Sequence, residues 1–201
     1  MKERFDLVLS GGIVVRGCGH FRKDVGVRNG RIAAVEDDLG GADSSRTIDV
    51  RGRYVLPGII DAHTHPYYED DFASLPEVAA WGGTTTVIHY AYAFPGQTVK
   101  FALDQALETA RKESCLDFAL HLGLFEVEKQ YGQIPHAFPY GVKSFKMFLT
   151  YAKLGRMTSD YFLTESMDLV AENGGMVMVH AENGLATDYL EDNFNRLGIS
   201  A

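Results

Sequence analysis

The sequence predicts an α/β protein in which a small all-β unit precedes a longer series of parallel strands and helices. Residues 1–56 contain short apolar runs broken by glycines, whereas residues 57–201 alternate apolar runs with amphipathic stretches. Histidines and a lysine stand at or near the ends of the later apolar runs. Functional side chains collect at the carboxyl ends of strands in parallel α/β folds, so these runs also indicate where chemistry occurs.

Length and composition limit the classes of protein that fit. With 201 residues, 46% apolar and 23% charged, the chain is long enough to bury a sizeable core. Its formal charge of -8 excludes a sequence-independent nucleic-acid binder, because phosphate contacts need a basic face. The start is charged and no apolar run is long, so we expect no signal peptide, no membrane span and a cytoplasmic location. Cys18 and Cys115 lie far apart and match no metal or disulfide pattern.

Local patterns in residues 1–56 predict the all-β unit. Strands are expected near residues 5–9, 13–15, 25–28, 31–35 and 47–56. The dipeptide Asn29-Gly30 tolerates the positive φ angles of a tight I′ turn, so the runs on either side of it should form a hairpin. Residues 37–46 are rich in Asp, Gly and Ser and are predicted to be a loop.

From Gly58 onward, the pattern is typical of parallel βαβ units. Strands are expected near 58–63, 84–89, 117–124, 142–149 and 176–181. Helices are expected near 72–81, 97–113, 159–173 and 184–196, with a long irregular connection over 126–139. Parallel strands in this number fit an open sheet or a barrel, and periodicity does not choose between them.

The first chemical motif is the apolar strand of residues 57–65, which reads PGIIDAHTH. Residues two apart on a strand point the same way, so His63 and His65 can face one metal ion. Two solvated polar residues at the mouth of a strand would give the same pattern. The pair alone leaves these two interpretations evenly balanced.

The second motif is Lys146, which interrupts an apolar strand in residues 141–151. A charged amine is costly to bury unless its pKa falls or its charge is removed. A neutral amine can add carbon dioxide and become an anionic oxygen ligand for two metals. The alternative is a lysine that extends to solvent at the strand end, and this segment alone favours that alternative.

The third motif is His180, which ends an apolar strand just before a predicted helix in residues 176–184. Together with the first two motifs, it makes four candidate ligands at or near the ends of parallel strands: His63, His65, Lys146 and His180. Their common placement is a stronger indication of a metal site than any one motif.

These motifs together resemble the amidohydrolase superfamily, and within it the dihydropyrimidinase, hydantoinase and allantoinase group. PGIIDAHTH is similar to that family's first-strand metal motif, SFKMFLTY to its carboxylated-lysine strand, and HAENG to its next metal histidine. The resemblance covers essentially the whole chain. It implies a β-sandwich domain, with its N-terminal part at residues 1–56, followed by a partial TIM-like (β/α)8 barrel of a metal-dependent hydrolase, with its first five β/α units at 57–201.

The resemblance also implies roles for individual residues. His63 and His65 would bind one metal, carboxylated Lys146 would bridge two, and His180 would bind the second, with zinc the expected ion. Tyr151 matches a tyrosine that steadies the oxyanion, or it is a half-buried aromatic at a strand end. Asp61 would orient a metal-binding imidazole and Asn183 would support the site through hydrogen bonds. His89 and His121 also end apolar runs, but the family pattern does not use them.

The implied reaction is hydrolysis of a cyclic amide, in which a dihydropyrimidine or hydantoin ring opens to an N-carbamoyl amino acid. Allantoinase, dihydroorotase and a non-catalytic scaffold remain alternatives. Residues 87–95 differ from the sequence that is usual for the family after the second strand, and we expect them to contribute to the entrance of the substrate site. A complete barrel takes roughly 250 residues, so we expect an incomplete fragment that is inactive by itself and is either marginally stable or self-associating. The complete protein is expected to be a homotetramer.

Overall fold

The computed structural model describes residues 4–199. The chain divides into two compact units, Met1–Gly58 and Ile59–Ala201. Within the described residues, no helix has both the length and the apolar character needed to cross a membrane.

The first unit is built on one mixed sheet. Its strands are β1 (Leu7–Arg16), β2 (Gly19–Arg28), β3 (Arg31–Glu36), β4 (Thr47–Asp49) and β5 (Tyr54–Val55). The order is β3-β2-β1-β4, and β5 also pairs with β1. Neighbours joined by tight turns are antiparallel, whereas β4 and β5 run parallel to β1. The second layer of a β-sandwich remains a prediction.

Two turn features of this unit follow directly from its glycines. The predicted hairpin is present, with positive φ angles of 52° at Asn29 and 68° at Gly30. The two short runs expected at 5–9 and 13–15 instead form one strand, because β1 continues through Gly11-Gly12 as an irregularity. Gly11 has a φ of 77°, and its N–H donates to Asp24 Oδ1 at 2.6 Å.

The second unit contains a curled parallel sheet with helices against it. Its strands are β6 (Ile59–Thr64), β7 (Thr84–Ala93), β8 (Asp117–Leu124), β9 (Ser144–Phe148) and β10 (Met176–His180), in the order β10-β9-β8-β7-β6. The helices are α1 (Ser74–Trp81), α2 (Val99–Glu113), α3 (Val127–Gln130), α4 (Asp160–Glu172) and α5 (Gly184–Arg196). The sheet is a half-barrel, and closure into a complete barrel is not formed by the described residues.

Two segments of this unit differ from expectation. Strand β7 extends to Ala93, four residues beyond the predicted end at 89, and pairs with β8 along that whole extension. The irregular connection at 126–139 contains α3 and a 3-10 helix, Tyr131–Tyr140. Buried Gln130 holds this connection in place, because its side-chain amide donates to the carbonyls of Ala93, Phe94 and Gln97 at 3.1 to 3.2 Å.

The main core lies between the sheet and its helices. Helix α2 contributes a stripe of buried residues with helical spacing, namely Val99, Ala102, Leu103, Ala106 and Ala110. Facing residues from the strands are also buried, including Leu122, Phe145 and Met147. A second, aromatic cluster of Tyr90, Tyr92, Phe125 and Phe148 forms a separate hydrophobic group. This separation leaves the aromatic cluster beside the polar residues at the strand ends.

Candidate metal centre and active site

The end of β6 presents two histidines on one side. Thr64 between them is buried, and its hydroxyl donates to Ile88 O at 3.0 Å. The strand register shifts between Asp61 and Thr64, and the rings of His63 and His65 lie 4.9 Å apart between centroids. Alternation along the strand thus brings the two predicted ligands together.

Two tyrosines of β7 hold these imidazoles, and sequence reasoning did not assign them. Tyr92 Oη lies 2.8 Å from His65 Nδ1, and Tyr90 Oη lies 3.4 Å from His63 Nδ1. Burial raises the pKa of Tyr90 to about 12 and raises that of Tyr92 still further, so both hydroxyls keep their protons. Because both contacts engage Nδ1, the Nε2 atoms are left for a ligand. The i, i+2 spacing of the two tyrosines was the available signal.

Lys146 lies inside β9 and is only 8% exposed. Its neighbours Phe145 and Met147 are fully buried on the opposite side of the strand. Desolvation lowers the pKa of the Lys146 amine. Among residues 4–199, no carboxylate pairs with this amine, which lies 5.7 Å from the centre of the Phe148 ring. Lys146 is therefore a buried amine without an anionic partner in the described part of the chain.

His65 shares this environment. Burial lowers its pKa, and the nearby positive charges of His63 and Lys146 lower it further. A neutral imidazole is the form that binds a metal ion. The electrostatics of the pocket therefore favour neutral nitrogen donors.

His180 ends β10 and lies near the ring of Tyr151, at 5.5 Å between centroids. Its Nε2 contacts Glu182 Oε1, a partner that sequence reasoning did not assign. Asn183 caps α5, since its Oδ1 accepts a hydrogen bond from Ala186 N at 3.2 Å. Asn183 therefore acts on the helix that follows the site, and its predicted support of the site is indirect.

Tyr151 follows β9 with an unusual backbone conformation. Its φ of 64° and ψ of 37° lie in the left-handed region, which is rare for a bulky residue. Such residues persist where the surrounding structure imposes them, often at functional sites. Here the carbonyl of Tyr151 accepts hydrogen bonds from Leu154 N and Arg156 N at 3.0 and 3.2 Å.

One pocket of about 370 Å³ gathers the predicted residues. His63, His65, Lys146, Tyr151 and His180 all line it, together with Tyr68, Tyr92, Phe125, Phe148 and Arg156. Asp61 does not line the pocket. Its carboxylate accepts a hydrogen bond from the backbone N–H of His63 at 3.2 Å, so it contacts the strand backbone and not an imidazole ring.

The donor set fits a metal centre only if the lysine contributes. Within residues 4–199, no group of three or more His, Cys, Asp and Glu side chains is arranged to hold an ion. The pocket instead offers three imidazoles and one desolvated amine. Conversion of that amine to a carbamate would supply the anionic oxygens that the histidines lack, so the residues fit this particular type of centre.

The remaining histidines of the parallel strands, His89 and His121, contact other parts of the sheet. His89 is fully buried, with its Nδ1 2.8 Å from Thr64 Oγ1 and its ring against Phe72. His121 Nε2 lies 2.9 Å from Ala62 O, and its Nδ1 contacts Ser144 Oγ. Through these contacts His121 links β8 to β6 and β9. Neither ring lines the pocket.

Comparison with known proteins gives close relatives, although the chain matches no family model. It is 35% identical to the D-hydantoinase of Ralstonia pickettii over 98% of this chain and 44% of that protein. An allantoinase of Rubrobacter xylanophilus is 39% identical over 92% of this chain and 42% of its own length. The solved structure of the L-hydantoinase (dihydropyrimidinase) of Arthrobacter aurescens has a TM-score of 0.87 at 30% identity, covering 96% of this chain and 44% of that one.

The fold and these relatives confirm the resemblance predicted from the sequence: the chain belongs to the amidohydrolase superfamily. Within that superfamily, it falls in the dihydropyrimidinase and hydantoinase group. The chain spans less than half the length of the relatives that it matches.

Proposed function

We propose that this protein hydrolyses a cyclic amide, opening a dihydropyrimidine or hydantoin ring to release an N-carbamoyl amino acid. One observation carries the proposal: the desolvated Lys146 amine, without a carboxylate partner in residues 4–199, shares a pocket with His63, His65 and His180. A lysine in this state can add carbon dioxide. The hydantoinase relatives support the same class of substrate.

The proposed metal centre uses four residues of this chain. His63 and His65 would hold one ion, carboxylated Lys146 would bridge two ions, and His180 would bind the second. Zinc is the expected metal, because imidazole and carboxylate oxygen are ligands that it accepts. When bound, the two ions would supply an activated water molecule and polarise the ring carbonyl.

Other residues of the chain would orient and stabilise the reacting groups. The Tyr151 hydroxyl would donate a hydrogen bond to the carbonyl oxygen as it gains negative charge. Tyr90 and Tyr92 would keep the two imidazoles of β6 in place through their hydroxyl groups. The aromatic rings of Tyr92, Phe125 and Phe148 would exclude water from one side of the pocket.

Allantoinase activity is the second candidate, because the Rubrobacter xylanophilus relative of that name is 39% identical to this chain. Dihydroorotase shares the same metal chemistry.

The family pattern includes a further metal histidine and a metal-binding aspartate that acts as general acid and base. Residues 1–201 contain no motif that matches either of them. We therefore propose that residues 1–201 alone bind metal without catalysing hydrolysis, and that the active form is a cytoplasmic homo-oligomer, tetrameric in the complete protein.

The test combines metal content, lysine modification and turnover. Purified protein should contain zinc, and its native mass should show carbon dioxide bound to the chain. Lys146→Met should lose both, whereas Lys143→Met, which changes a lysine just before β9, should retain both. Hydrolysis of hydantoin, dihydrouracil, allantoin and dihydroorotate, measured on the longest form of the protein that can be expressed, identifies the substrate. A chain that takes up neither zinc nor carbon dioxide would refute the proposed metal centre and favour a scaffold role.

A further inference from the structure

Arg156 is a cation in the candidate pocket that the proposed chemistry does not use. It is half-buried and lines the same cavity as the histidines. Its guanidinium carbon lies 4.4 Å from the centre of the Phe125 ring. Within residues 4–199, this guanidinium has no carboxylate partner and makes no side-chain hydrogen bond.

Three acidic side chains near the loop after β9, Glu126, Glu191 and Asp192, are already engaged. Glu126, next to Phe125, pairs with Lys129 at 2.7 Å and accepts a hydrogen bond from Gly96 N at 2.7 Å. Lys153 binds Glu191 and Asp192 at 3.0 and 2.6 Å. The donors of Arg156 therefore remain available for an added ligand.

The loop after β9 sets the position of the Arg156 backbone. The loop after β9 is closed by a hydrogen bond from Arg156 N to Tyr151 O at 3.2 Å and another from Thr158 N to Phe148 O at 2.8 Å. Gly155, with a φ of 66°, turns the chain immediately before the arginine. The same short loop therefore supplies both Tyr151 and Arg156 to the pocket.

An aromatic wall connects the arginine with the histidines. The Tyr92 ring is stacked on His65 at 6.1 Å and on Phe125 at 4.8 Å between centroids. Arg156 lies over the Phe125 ring, so the order is His65, Tyr92, Phe125, Arg156. We call the rings of Tyr92 and Phe125 the aromatic wall. A guanidinium stacked on an aromatic ring keeps its planar edge for a carboxylate, which it binds through two parallel hydrogen bonds.

We propose that Arg156 is a specificity-determining residue that binds an anionic group carried by the substrate. This inference rests on the proposed function and specifies its substrate class: a cyclic amide that has a carboxylate on a short arm. With the amide ring near His63 and His65, the arm would lie along the aromatic wall and its carboxylate would reach Arg156.

The test compares two ligands of equal shape, 5-(2-carboxyethyl)hydantoin and 5-(2-carbamoylethyl)hydantoin, by titration calorimetry on this chain. The wild type should bind the carboxylate roughly tenfold more tightly than the amide, as expected for a charge-assisted hydrogen bond in a partly exposed site. This preference should shrink between about 0.01 M and about 1 M salt, where the Debye length falls from about 30 to about 3 Å.

Variants show whether the preference for the carboxylate ligand depends on Arg156 itself or on the net charge of the protein. Arg156→Met should reduce the ratio of the two affinities to near one, and Arg156→Lys should retain part of it. Arg111→Met removes the same charge from the last turn of α2 and should keep the wild-type ratio. No preference in the wild type, no binding of either ligand, or an unchanged ratio in Arg156→Met would overturn the inference. Selective, Arg156-dependent binding together with no ring opening in any form of the protein would instead contradict only the proposed hydrolysis.

Discussion

Among single residues, Gly123 determines whether Tyr92 can reach His65. Gly123 pairs in register with Tyr92 of β7 and with Lys146 of β9. A Cβ atom at this position would overlap Cδ1 and Cε1 of the Tyr92 ring. The absence of a side chain at Gly123 therefore creates the space that the tyrosine occupies.

We expect Gly123→Ala to displace Tyr92 and to lower the free energy of unfolding by about 1 to 3 kcal/mol, the usual cost of overpacking. Zinc uptake should fall in parallel. The matched control is Gly132→Ala, where an added Cβ meets no atom within 4 Å and the effect should stay within about 0.5 kcal/mol. Urea denaturation measures the free energy of unfolding of both variants, and equal stability of the two would contradict the prediction.

The hydroxyl of Tyr92 can be tested apart from its ring. Tyr92→Phe should keep the stack on Phe125 but lose the contact with His65 Nδ1. Loss of such a partner typically weakens metal binding by about 10- to 100-fold. Tyr90→Phe should have a smaller effect, because its contact with His63 is longer, at 3.4 Å. Competition with a chelator measures zinc affinity, and the reverse order of effects would argue against this assignment.

His89 should make the stability of the fold depend on pH. Burial lowers its pKa from 6.5 to about 4, although Asp61 acts in the opposite direction. The Thr64 hydroxyl donates to Ile88 O, so Nδ1–H of His89 donates to Thr64 Oγ1. Its buried Nε2 has no partner among the described residues. A proton added there would be buried without an acceptor.

Because the folded-state pKa of His89 is lowered, neutral His89 contributes stability above about pH 6.5, and this contribution is lost as the pH falls toward 4. In His89→Asn, the fall in unfolding free energy over this range should be shallower by up to about 1.4 kcal/mol per pH unit. His65 and His121 also have lowered pKa values, so some dependence should remain. Denaturation with a chelator present, at several pH values, measures the slope, and identical slopes would exclude this role.

At the scale of elements, α2 depends on the residue that caps its N-terminus as well as on its buried stripe. Thr98 is the N-cap, and its Oγ1 accepts a hydrogen bond from Phe101 N at 3.1 Å. Thr98→Ala should lower the free energy of unfolding by about 1 kcal/mol. Thr109→Ala in the same helix is the control, because the Thr109 hydroxyl donates only to Gln105 O of the helix itself and alanine is the better helix former. Thermal or urea melts that rank the two variants equally would contradict this prediction.

Element types were predictable because they follow from local periodicity. The strand ending at Thr64 and the strand ending at His180 lie within a few residues of their predicted positions. The end of β7 was not predictable, because residues 90–93 become strand through pairing with β8. The 3-10 helix Tyr131–Tyr140 was also missed, because the pattern of residues 126–139 indicated only an irregular connection.

At the scale of the whole molecule, the parallel sheet formed by residues 4–199 has two edges, β6 and β10. Apolar residues are exposed on these strands, with Ile60 at 63% and Met176 at 62%. Unpaired edges promote association between chains. We expect residues 1–201 to self-associate as concentration rises, and Ile60→Lys to reduce that association. Val78→Lys, on the exposed face of α1, is the control. Sedimentation velocity that shows a monomer at all concentrations would refute the expectation.

The sequence by itself determined the α/β class and the family resemblance, and it predicted five of the residues that line the pocket, namely His63, His65, Lys146, Tyr151 and His180. His63 and His65 share a face because alternate residues of a strand do so, and Lys146 and His180 lie at or near the ends of predicted parallel strands. These relations depend on local spacing, which any single sequence displays.

Only the tertiary structure decided which partners each functional residue meets. The contacts of Tyr90 and Tyr92 with the histidines depend on the register between β6 and β7, and the space for Tyr92 depends on Gly123 of β8. Arg156 reaches the pocket because two hydrogen bonds close the loop after β9. Asp61 contacts the backbone of a strand instead of an imidazole, and Asn183 contacts the backbone of the helix that it caps. Such contacts join residues distant in sequence, so they are set by packing and register and not by local pattern.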